Sequence, residues 1–145
     1  LFGRLLCVLG VAPLTILAFM GEADRGRYLA FAERETGRSA TELGIPALVA
    51  GVRRSDHTVM PDRTRAERAW IGFPLFHPED GRVFASFAVS APVAAPDLAL
   101  PADLLAEMIA TVGNLHQDLA ADPGRCASPY RDIDPDTIRL PVDPV

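Results

Sequence analysis

Lysine is absent from this sequence of 145 residues, in which all 14 basic residues are arginine. The absence excludes a phosphate-binding P-loop, which needs a lysine, and any enzyme that forms a Schiff base on a lysine amine. Cysteine is also scarce, with Cys7 and Cys126 as the two in the chain. They lie far apart and lack the paired spacing of a zinc site, so we expect reduced thiols rather than a metal centre.

Positive charge is in short supply too, because 19 acidic residues outweigh the arginines and give a net charge of −5. Contact with the phosphates of nucleic acid needs a basic face, so we expect weak or no DNA binding by this chain alone. Apolar residues make up 49% of the chain and charged residues 23%, which is typical of a folded domain. A chain of this length is expected to form one domain.

An uncharged run of sixteen residues extends from Leu5 to Met20, directly after Arg4. Such a run is similar to the apolar core of an export signal. A membrane-spanning helix needs about 20 apolar residues. This run is shorter, and Gly10 and Pro13 divide it. We therefore favour a buried strand or loop followed by a buried helix over an export signal, and we expect no membrane contact.

Helix signals dominate the first half of the chain. Pro13 suits a first helical turn, so a helix is predicted over Leu14–Met20, ending at Gly21. Acidic residues at the start of the segment Glu22–Arg34 predict a second helix there. The segment Ser39–Glu42 (SATE) has the spacing of a capping box, which predicts that a third helix follows it. The inward residues of that helix would be Leu43, Leu48, Val49 and Val52.

The second half changes to a strand pattern. Ser55–Arg68 is polar and charged, which indicates a loop or a weak edge strand. Trp70–Phe76 and Arg82–Ser90 predict the two strands of a hairpin, joined by a turn with an Asp-Gly signal. Apolar residues at helical spacing then predict a helix over Pro101–Ala121, so the fold class is α+β. The apolar stripe of that helix comprises Leu105, Met108, Ile109, Val112 and Leu119.

The second strand of the hairpin has two unlike faces, because side chains alternate along a strand. One face is the packing face, with Val83, Ala85, Phe87 and Val89. The other face is mostly small, with Phe84, Ser86, Ala88 and Ser90. Two interpretations are open: this face packs against a helix or solvent, or it leaves room for a ligand whose polar atoms bind the serine hydroxyls.

The residue types that perform catalysis form no recognisable arrangement in this sequence. His57, His77 and His116 have no partners at metal-ligand spacing. His116 is expected on the exposed side of the last helix, and a role without chemistry is favoured for all three. Neighbouring carboxylates such as Glu79 and Asp80 fall in predicted turns, caps and the tail, where they complement helix ends or remain solvated. We find no pairing of a nucleophile with a base. We therefore expect no enzyme activity, no metal and no cofactor.

The order of these elements is similar to that of a known family. Gly3–Met20 (GRLLCVLGVAPLTILAFM) resembles a Gly-Ser-x-Leu-Pro-Leu-type segment that leads into a Gly-Lys-Ala-Leu-Leu-Ala-type helix. Glu22–Leu29 and Thr41–Val52 resemble the next two helices. Ile71–Pro92 (IGFPLFHPEDGRVFASFAVSAP) resembles the family's signature hairpin, which ends in Ser-x-Ser-Gly-Pro. Over residues 3–121 the chain thus resembles the effector-binding domain of IclR-type transcriptional regulators.

The resemblance implies a GAF-like curved antiparallel sheet flanked by helices. It implies a partial effector-binding domain over residues 1–121, with its first strands missing, and a proline-rich tail over residues 122–145. The protein would be a cytoplasmic bacterial regulator that binds DNA only through a winged helix-turn-helix domain absent from this chain. Effectors in the family are small organic acids or aromatic catabolites, and members form homodimers or homotetramers.

The resemblance also implies a pocket. The backbone amides of Val11 and Ala12 would meet the ligand carboxylate at a helix N-terminus, where anions are favoured. The remaining matched positions are Trp70, Ala88 and Ser90, with Asp56 or Asp62 as the acidic loop residue. Pro13 replaces the family's usual glycine, Ala88 replaces one of two serines, and Trp70 is larger than its usual counterpart. These departures favour a flatter, more apolar or aromatic effector, or a pocket partly filled by Trp70.

Two other functions stay open at this point. One is a free-standing GAF-like ligand-binding module unconnected to transcription, and the other, with the least support, is a small enzyme. The codons upstream of Leu1 would discriminate between the first two functions. A winged-helix sequence there supports a regulator, and a start codon immediately upstream supports a free-standing module.

Overall fold

The structure is a computed structural model that describes residues 10–94 and 97–126, with Cys126 described by its backbone alone. Within these ranges an antiparallel sheet of three strands is flanked by helices, so the predicted α+β class is confirmed. The start of the apolar run, Cys7 and the tail from residue 127 lie outside the described residues. The elements are α1 (Val11–Phe19), α2 (Glu22–Thr36), α3 (Ile45–Ser55), β1 (Thr58–Pro61), β2 (Arg68–Phe76), β3 (Val83–Pro92), α4 (Ala102–Ala121) and a 3₁₀ turn (Pro123–Cys126).

The sheet has the order β1-β2-β3, and both pairs are antiparallel. The predicted hairpin is confirmed, and its turn closes at Gly81, whose positive φ of 67° suits glycine. β1 confirms the edge-strand alternative for the charged segment. Two rows of the register define the site described below. Met60, Trp70 and Ser90 lie side by side in one row, and Thr58, Gly72 and Ala88 in the next.

One face of the sheet, here called the α4 face, is apolar and packs against α4. Ile71, at the centre of β2, is completely buried there, and Met108 and Val112 of α4 contribute to the same core. This confirms that the predicted packing side of β3 is the core side, because Phe87 and Val89 join this cluster. The buried members of the core are Ala69, Ile71, Phe73, Ala91, Met108 and Val112.

The opposite face, here called the α1 face, is covered in part by α1, which packs against all three strands. The approach is close because Gly72 has no side chain. A Cβ added there would lie 2.5 Å from Thr15 Oγ1 and 2.9 Å from a methyl group of Val11. Buried Thr15 also shares a hydrogen bond of 2.7 Å with Thr58 on β1. The interpretation that the small face packs against a helix is therefore confirmed for this part of the sheet.

A second core lies between α1, α2 and α3, and Met60 of β1 packs against it. Its buried residues are Leu14, Leu17, Ala18, Ala32, Ile45, Val49 and Val52. Two arginines complete the carbonyl end of α1: Arg25 donates to the carbonyls of Leu17 and Met20, and Arg53 donates to that of Ala18. Carbonyls at a helix C-terminus lack intrahelical donors, so these bonds attach α2 and α3 to α1.

The predicted helices are present, although α3 begins later than its capping box suggested. Ser39 and Glu42 do form the reciprocal bonds, at 2.7 and 3.2 Å, but they cap an isolated turn. Gly44 then adopts a left-handed conformation, and α3 begins at Ile45. The residues of α3 that face the core therefore differ from those predicted. Ile45 is buried, and the prediction that Leu48 points inward is wrong, because Leu48 is 43% exposed.

Two predictions for α4 also need correction. Ile109 was placed in its apolar stripe, but it is 55% exposed, because Met108 and Val112 take the positions facing the sheet. His116 was expected on the exposed side of the helix. It is half-buried, accepts a 3.0 Å hydrogen bond from the Phe76 amide and stacks on the Phe76 ring. These contacts join α4 to the end of β2.

The described part of the apolar run forms α1, whose Leu14 and Leu17 are buried, as the buried-helix interpretation predicted. In the ranges that the structure describes, every helix is too short or too polar to span a bilayer.

Candidate ligand-binding site

α1 leaves one end of the α1 face uncovered. Val11 and Thr15 lie over Gly72, and Phe19 packs edge-on against Phe76 with ring centroids 5.7 Å apart. The helix thus runs from Gly72 towards the Phe76 end of the sheet, and its N-terminus is directed towards the other end. That other end, here called the open end, comprises Arg68, Trp70, Ala88 and Ser90, and it is bordered by Met60, which packs against the core of the three helices.

Trp70 is the largest group at the open end and is 42% exposed. Met60 is its neighbour on one side and Ser90 on the other. Ala88 is exposed one row further on, next to Gly72. An indole beside small side chains forms a flat, mainly apolar surface, which is the kind of surface that binds an aromatic ring.

Arg68 contributes a positive charge to the same surface. Its Nε donates to Ser90 Oγ at 2.9 Å and its Nη2 donates to the Ser90 carbonyl at 2.6 Å. Both bonds hold the guanidinium against β3, in the row beside Trp70. Among the described residues no carboxylate forms an ion pair with Arg68.

Sequence reasoning missed Arg68, because β2 was predicted to begin at Trp70 and Arg68 was assigned to the preceding loop. The signal was present in the alternation of the strand. Residues two apart share a face, so extending β2 by two residues would have placed Arg68 beside Trp70.

The first turn of α1 supplies the backbone groups that the family resemblance pointed to. Val11 and Ala12 are its first two residues, and Gly10 precedes them as the N-cap without a side-chain bond. N–H groups in a first turn have no acceptor within the helix, so they favour an anion nearby. Pro13 lacks its N–H, which reduces the number of donors in this turn. Val11 lies over Gly72, which pairs with Ala88, so the first turn of α1 is one row away from Trp70 and Ser90.

The two acidic candidates are separated by β1. Asp62 follows the strand and its amide donates to the Arg68 carbonyl at 3.0 Å, so it lies near the open end. The amide and hydroxyl of Thr64 both donate to its carboxylate, at 2.8 and 2.7 Å, and these bonds lower the pKa of Asp62. Asp56 precedes β1, where it ends α3 in a left-handed conformation and is exposed. The structure therefore brings Asp62, and not Asp56, towards the other candidates.

Ser86 differs from Ser90 although both lie on the α1 face. Ser90 accepts a bond from Arg68 at the open end. Ser86 pairs with Pro74, and its hydroxyl is buried without a hydrogen-bond partner among the described residues. Only one of the two serines therefore has a geometry suited to a ligand site.

No grouping of three or more His, Cys, Asp or Glu residues suited to a metal ion occurs in residues 10–94 and 97–126. The turn histidine, His77, accepts a hydrogen bond from the Glu79 amide and packs edge-on to Phe84. His57 bonds to the Ser55 carbonyl and stacks on Phe73. The imidazole rings of His57 and His77 thus contact neighbouring residues of the fold.

Comparison with known proteins gives a likeness in fold. The sequence matches no family model, and no curated protein matches it. A crystal structure from Rhodococcus sp. RHA1, named as that of a candidate transcriptional regulator, is similar with a TM-score of 0.58 and 24% sequence identity. The match covers 77% of this chain and 46% of the Rhodococcus chain, so this chain spans less than half the length of that protein. At this identity the match shows a shared fold.

Proposed function

We propose that this chain is the small-molecule effector-binding and oligomerisation domain of a bacterial transcriptional regulator of the IclR type. DNA binding would belong to a winged helix-turn-helix domain outside this chain, and the regulator would act in the cytoplasm. The fold shared with the Rhodococcus protein supports a regulatory role. The acidic net charge of −5 supports the assignment of DNA binding to a separate domain.

The observation that carries the proposal is the assembly of the open end. Val11 and Ala12 come from a helix N-terminus, and Trp70, Ala88 and Ser90 come from two neighbouring strands. These five positions are far apart in the sequence, and the IclR resemblance implies that they share a pocket. The position of Val11 over Gly72, beside Ala88 and one row from an exposed indole, supports such a site.

An effector bound at the open end could influence the relative stability of two subunit arrangements. It would touch the first turn of α1, and α1 is joined through Arg25 and Arg53 to α2 and α3. A ligand shifts such an equilibrium by the difference between its affinities for the two arrangements. We therefore expect the ligand to change the proportion of homodimer and homotetramer.

A thermal-shift screen of small aliphatic and aromatic acids tests the proposal. A ligand that binds only the folded chain raises the apparent melting temperature, by an amount that grows with concentration. We expect at least one acid to do so, and light scattering with and without that acid to show a change in oligomer distribution. The absence of stabilisation by every acid in the screen would contradict the proposal.

DNA binding by the chain alone gives a second check. We expect no electrophoretic shift of DNA at nanomolar protein and ordinary salt, since the chain lacks an excess of positive charge. A shift under those conditions would contradict the assignment of DNA binding to another domain.

A further inference from the structure

The backbone amide of Phe76, at the end of β2, lies where the described part of the sheet has no strand to bind it. The next amide, that of His77, donates to the Arg82 carbonyl across the hairpin, so the Phe76 amide points the other way, away from β3. On that side β1 pairs with β2 only as far as Gly72. A partly buried amide without an acceptor is costly, because its hydrogen bonds to water are lost on folding.

His116 of α4 supplies the missing acceptor. Its Nε2 accepts from the Phe76 amide at 3.0 Å, and its ring stacks on the Phe76 ring with an angle of 17° between the two planes. A backbone amide can only donate, so Nε2 carries no proton and the neutral ring holds its proton on Nδ1. The bond thus requires one charge state and one tautomer of His116. A proton on Nε2 would place two donors against each other and remove the bond.

His57 makes the opposite kind of hydrogen bond and provides a comparison. It also stacks on a phenylalanine of β2, Phe73, but its Nδ1 lies 2.6 Å from the Ser55 carbonyl, which can only accept. Nδ1 of His57 therefore donates, and it can do so in both the neutral and the charged ring. A proton removes the hydrogen bond of His116 and leaves that of His57 in place.

The elements around the imidazole of His116 contribute little charge. The helix α1 contains no titratable residue, and the single charged residue of β2 is Arg68, at the opposite end of the strand. On α4 the nearest titratable residue along the chain is Asp118, which is exposed. His77 follows Phe76, but its ring belongs to the hairpin turn, where Nδ1 lies 3.8 Å from an Asp80 carboxylate oxygen. Within the described residues no carboxylate forms an ion pair with His116 that would favour its charged form.

The contact brings three elements together. Phe76 is the last residue of β2, and Phe19, the last residue of α1, packs edge-on to its ring with centroids 5.7 Å apart. His116 brings α4 to the same point. A change in the position of the Phe76 ring would therefore be felt by the ends of both α1 and β2, as well as by α4.

We propose that His116 is a proton-sensitive contact that holds α4 on the end of β2 at neutral pH and releases it in mildly acidic solution. Histidine side chains take up a proton between about pH 8 and pH 5, so the change falls in that range. The bonded form is the neutral one, so the stabilisation is present at the upper end of the range and is lost as the pH falls. The contact contains none of the residues of the open end, so its test is independent of the proposed function.

The test compares the unaltered chain with His116→Gln and with the control His57→Gln, by urea denaturation at about pH 7.5 and about pH 5.5. Glutamine places a carbonyl oxygen near the position of Nε2, so His116→Gln keeps an acceptor that does not titrate. We expect the unfolding equilibrium constant to rise over this interval by about fivefold more in the unaltered chain than in His116→Gln, the factor that one net hydrogen bond represents. His57→Gln should behave like the unaltered chain, and His77 contributes equally in all three.

A second measurement needs no variant. A ¹H–¹⁵N spectrum of the His116 ring at neutral pH should show a protonated Nδ1 and an unprotonated Nε2, the reverse of the tautomer that predominates in free histidine. A proton on Nε2 at neutral pH would overturn the proposal, and this outcome can be observed even if His116→Gln does not fold. The same pH dependence in the unaltered chain and in His116→Gln would also overturn it, as would a pH dependence that disappears in His57→Gln.

Discussion

The two faces of the sheet are built from the same three strands, yet they differ in almost every physical respect. The α4 face is filled by large apolar side chains that interlock with Met108 and Val112. The α1 face relies on close approach: glycine and two buried threonines let a helix lie directly on the strands at one end. At the other end the same face is open, with Trp70 exposed. One face thus provides stability, and the other combines stability with a candidate binding surface.

The α4 face should give the largest loss of stability on truncation. Ile71→Ala removes a completely buried side chain from the central strand, so we expect a loss of about 2–5 kcal/mol in the free energy of unfolding. The control is Ile109→Ala on α4, whose side chain is 55% exposed and which should change stability by about 0.5 kcal/mol or less. Urea denaturation measures both. Equal effects would mean that α4 packs with a different face against the sheet.

The α1 face should instead be sensitive to added volume. Gly72→Ala places a methyl group 2.5 Å from Thr15 Oγ1, which is held in place by bonds to Thr58 and the Val11 carbonyl. We expect a loss of about 1–3 kcal/mol from this overpacking. Gly113→Ala on α4 is the matched control, because a methyl group there meets nothing within 4 Å. It should gain up to about 1 kcal/mol through helix propensity, so the two changes are expected to have opposite signs in the same denaturation assay.

Sequence reasoning predicted the α4 face better than the α1 face, and the reason is physical. Alternating large apolar residues have one favourable environment, so Phe87 and Val89 were assigned to the core correctly. Small residues such as Gly72 and Ala88 are compatible with a close helix, solvent or a ligand, and the alternation of a strand cannot choose among them. The choice depends on where α1 lies, and that is set by contacts between residues 43 positions apart, such as Thr15 and Thr58.

The candidate site could be predicted only in part from the sequence. Trp70 and Ser90 were identified because they fall in the most recognisable hairpin of the chain. Arg68 was missed because strand ends are poorly marked by local sequence. Leu48 and Ile109 were assigned inward positions by spacing alone. Burial on a helix depends on the exact rotation that tertiary packing imposes, and in α3 that rotation was set by the left-handed Gly44.

The two serines of β3 offer a smaller test within the α1 face. Ser86→Ala removes a buried hydroxyl that has no partner among the described residues, so we expect a gain of about 1 kcal/mol. Ser90→Ala removes the acceptor of Arg68 Nε, so we expect a loss of about 0.5–1.5 kcal/mol. Differential scanning calorimetry measures both changes. A loss of stability in Ser86→Ala would indicate that its hydroxyl has a favourable interaction after all.

The hairpin turn, which belongs to neither face, should show the smallest effect. Hydrogen bonds from Arg82 to the Asp80 carboxylate lower its pKa from 3.8 to about 2. A carboxyl with a lowered pKa in the folded state contributes stability above pH 4, and this contribution is lost as the pH falls through about 2. Asp80→Asn should therefore flatten the decline of stability between pH 4 and 2. Glu79→Gln in the same turn is the control, and equal flattening in both variants would contradict the assignment.

The claim that the open end of the α1 face is a ligand site is tested most directly by an NMR titration with an aromatic acid. Trp70 is the single tryptophan of the chain, so its indole N–H gives one assignable signal in a ¹H–¹⁵N spectrum. We predict saturable shifts of that indole signal, of the Arg68 Nε signal and of the amides of Val11 and Ala12, with little change for the amides of Met108 and Val112. Saturable shifts confined to α4, or binding that leaves the indole signal unmoved, would contradict the account.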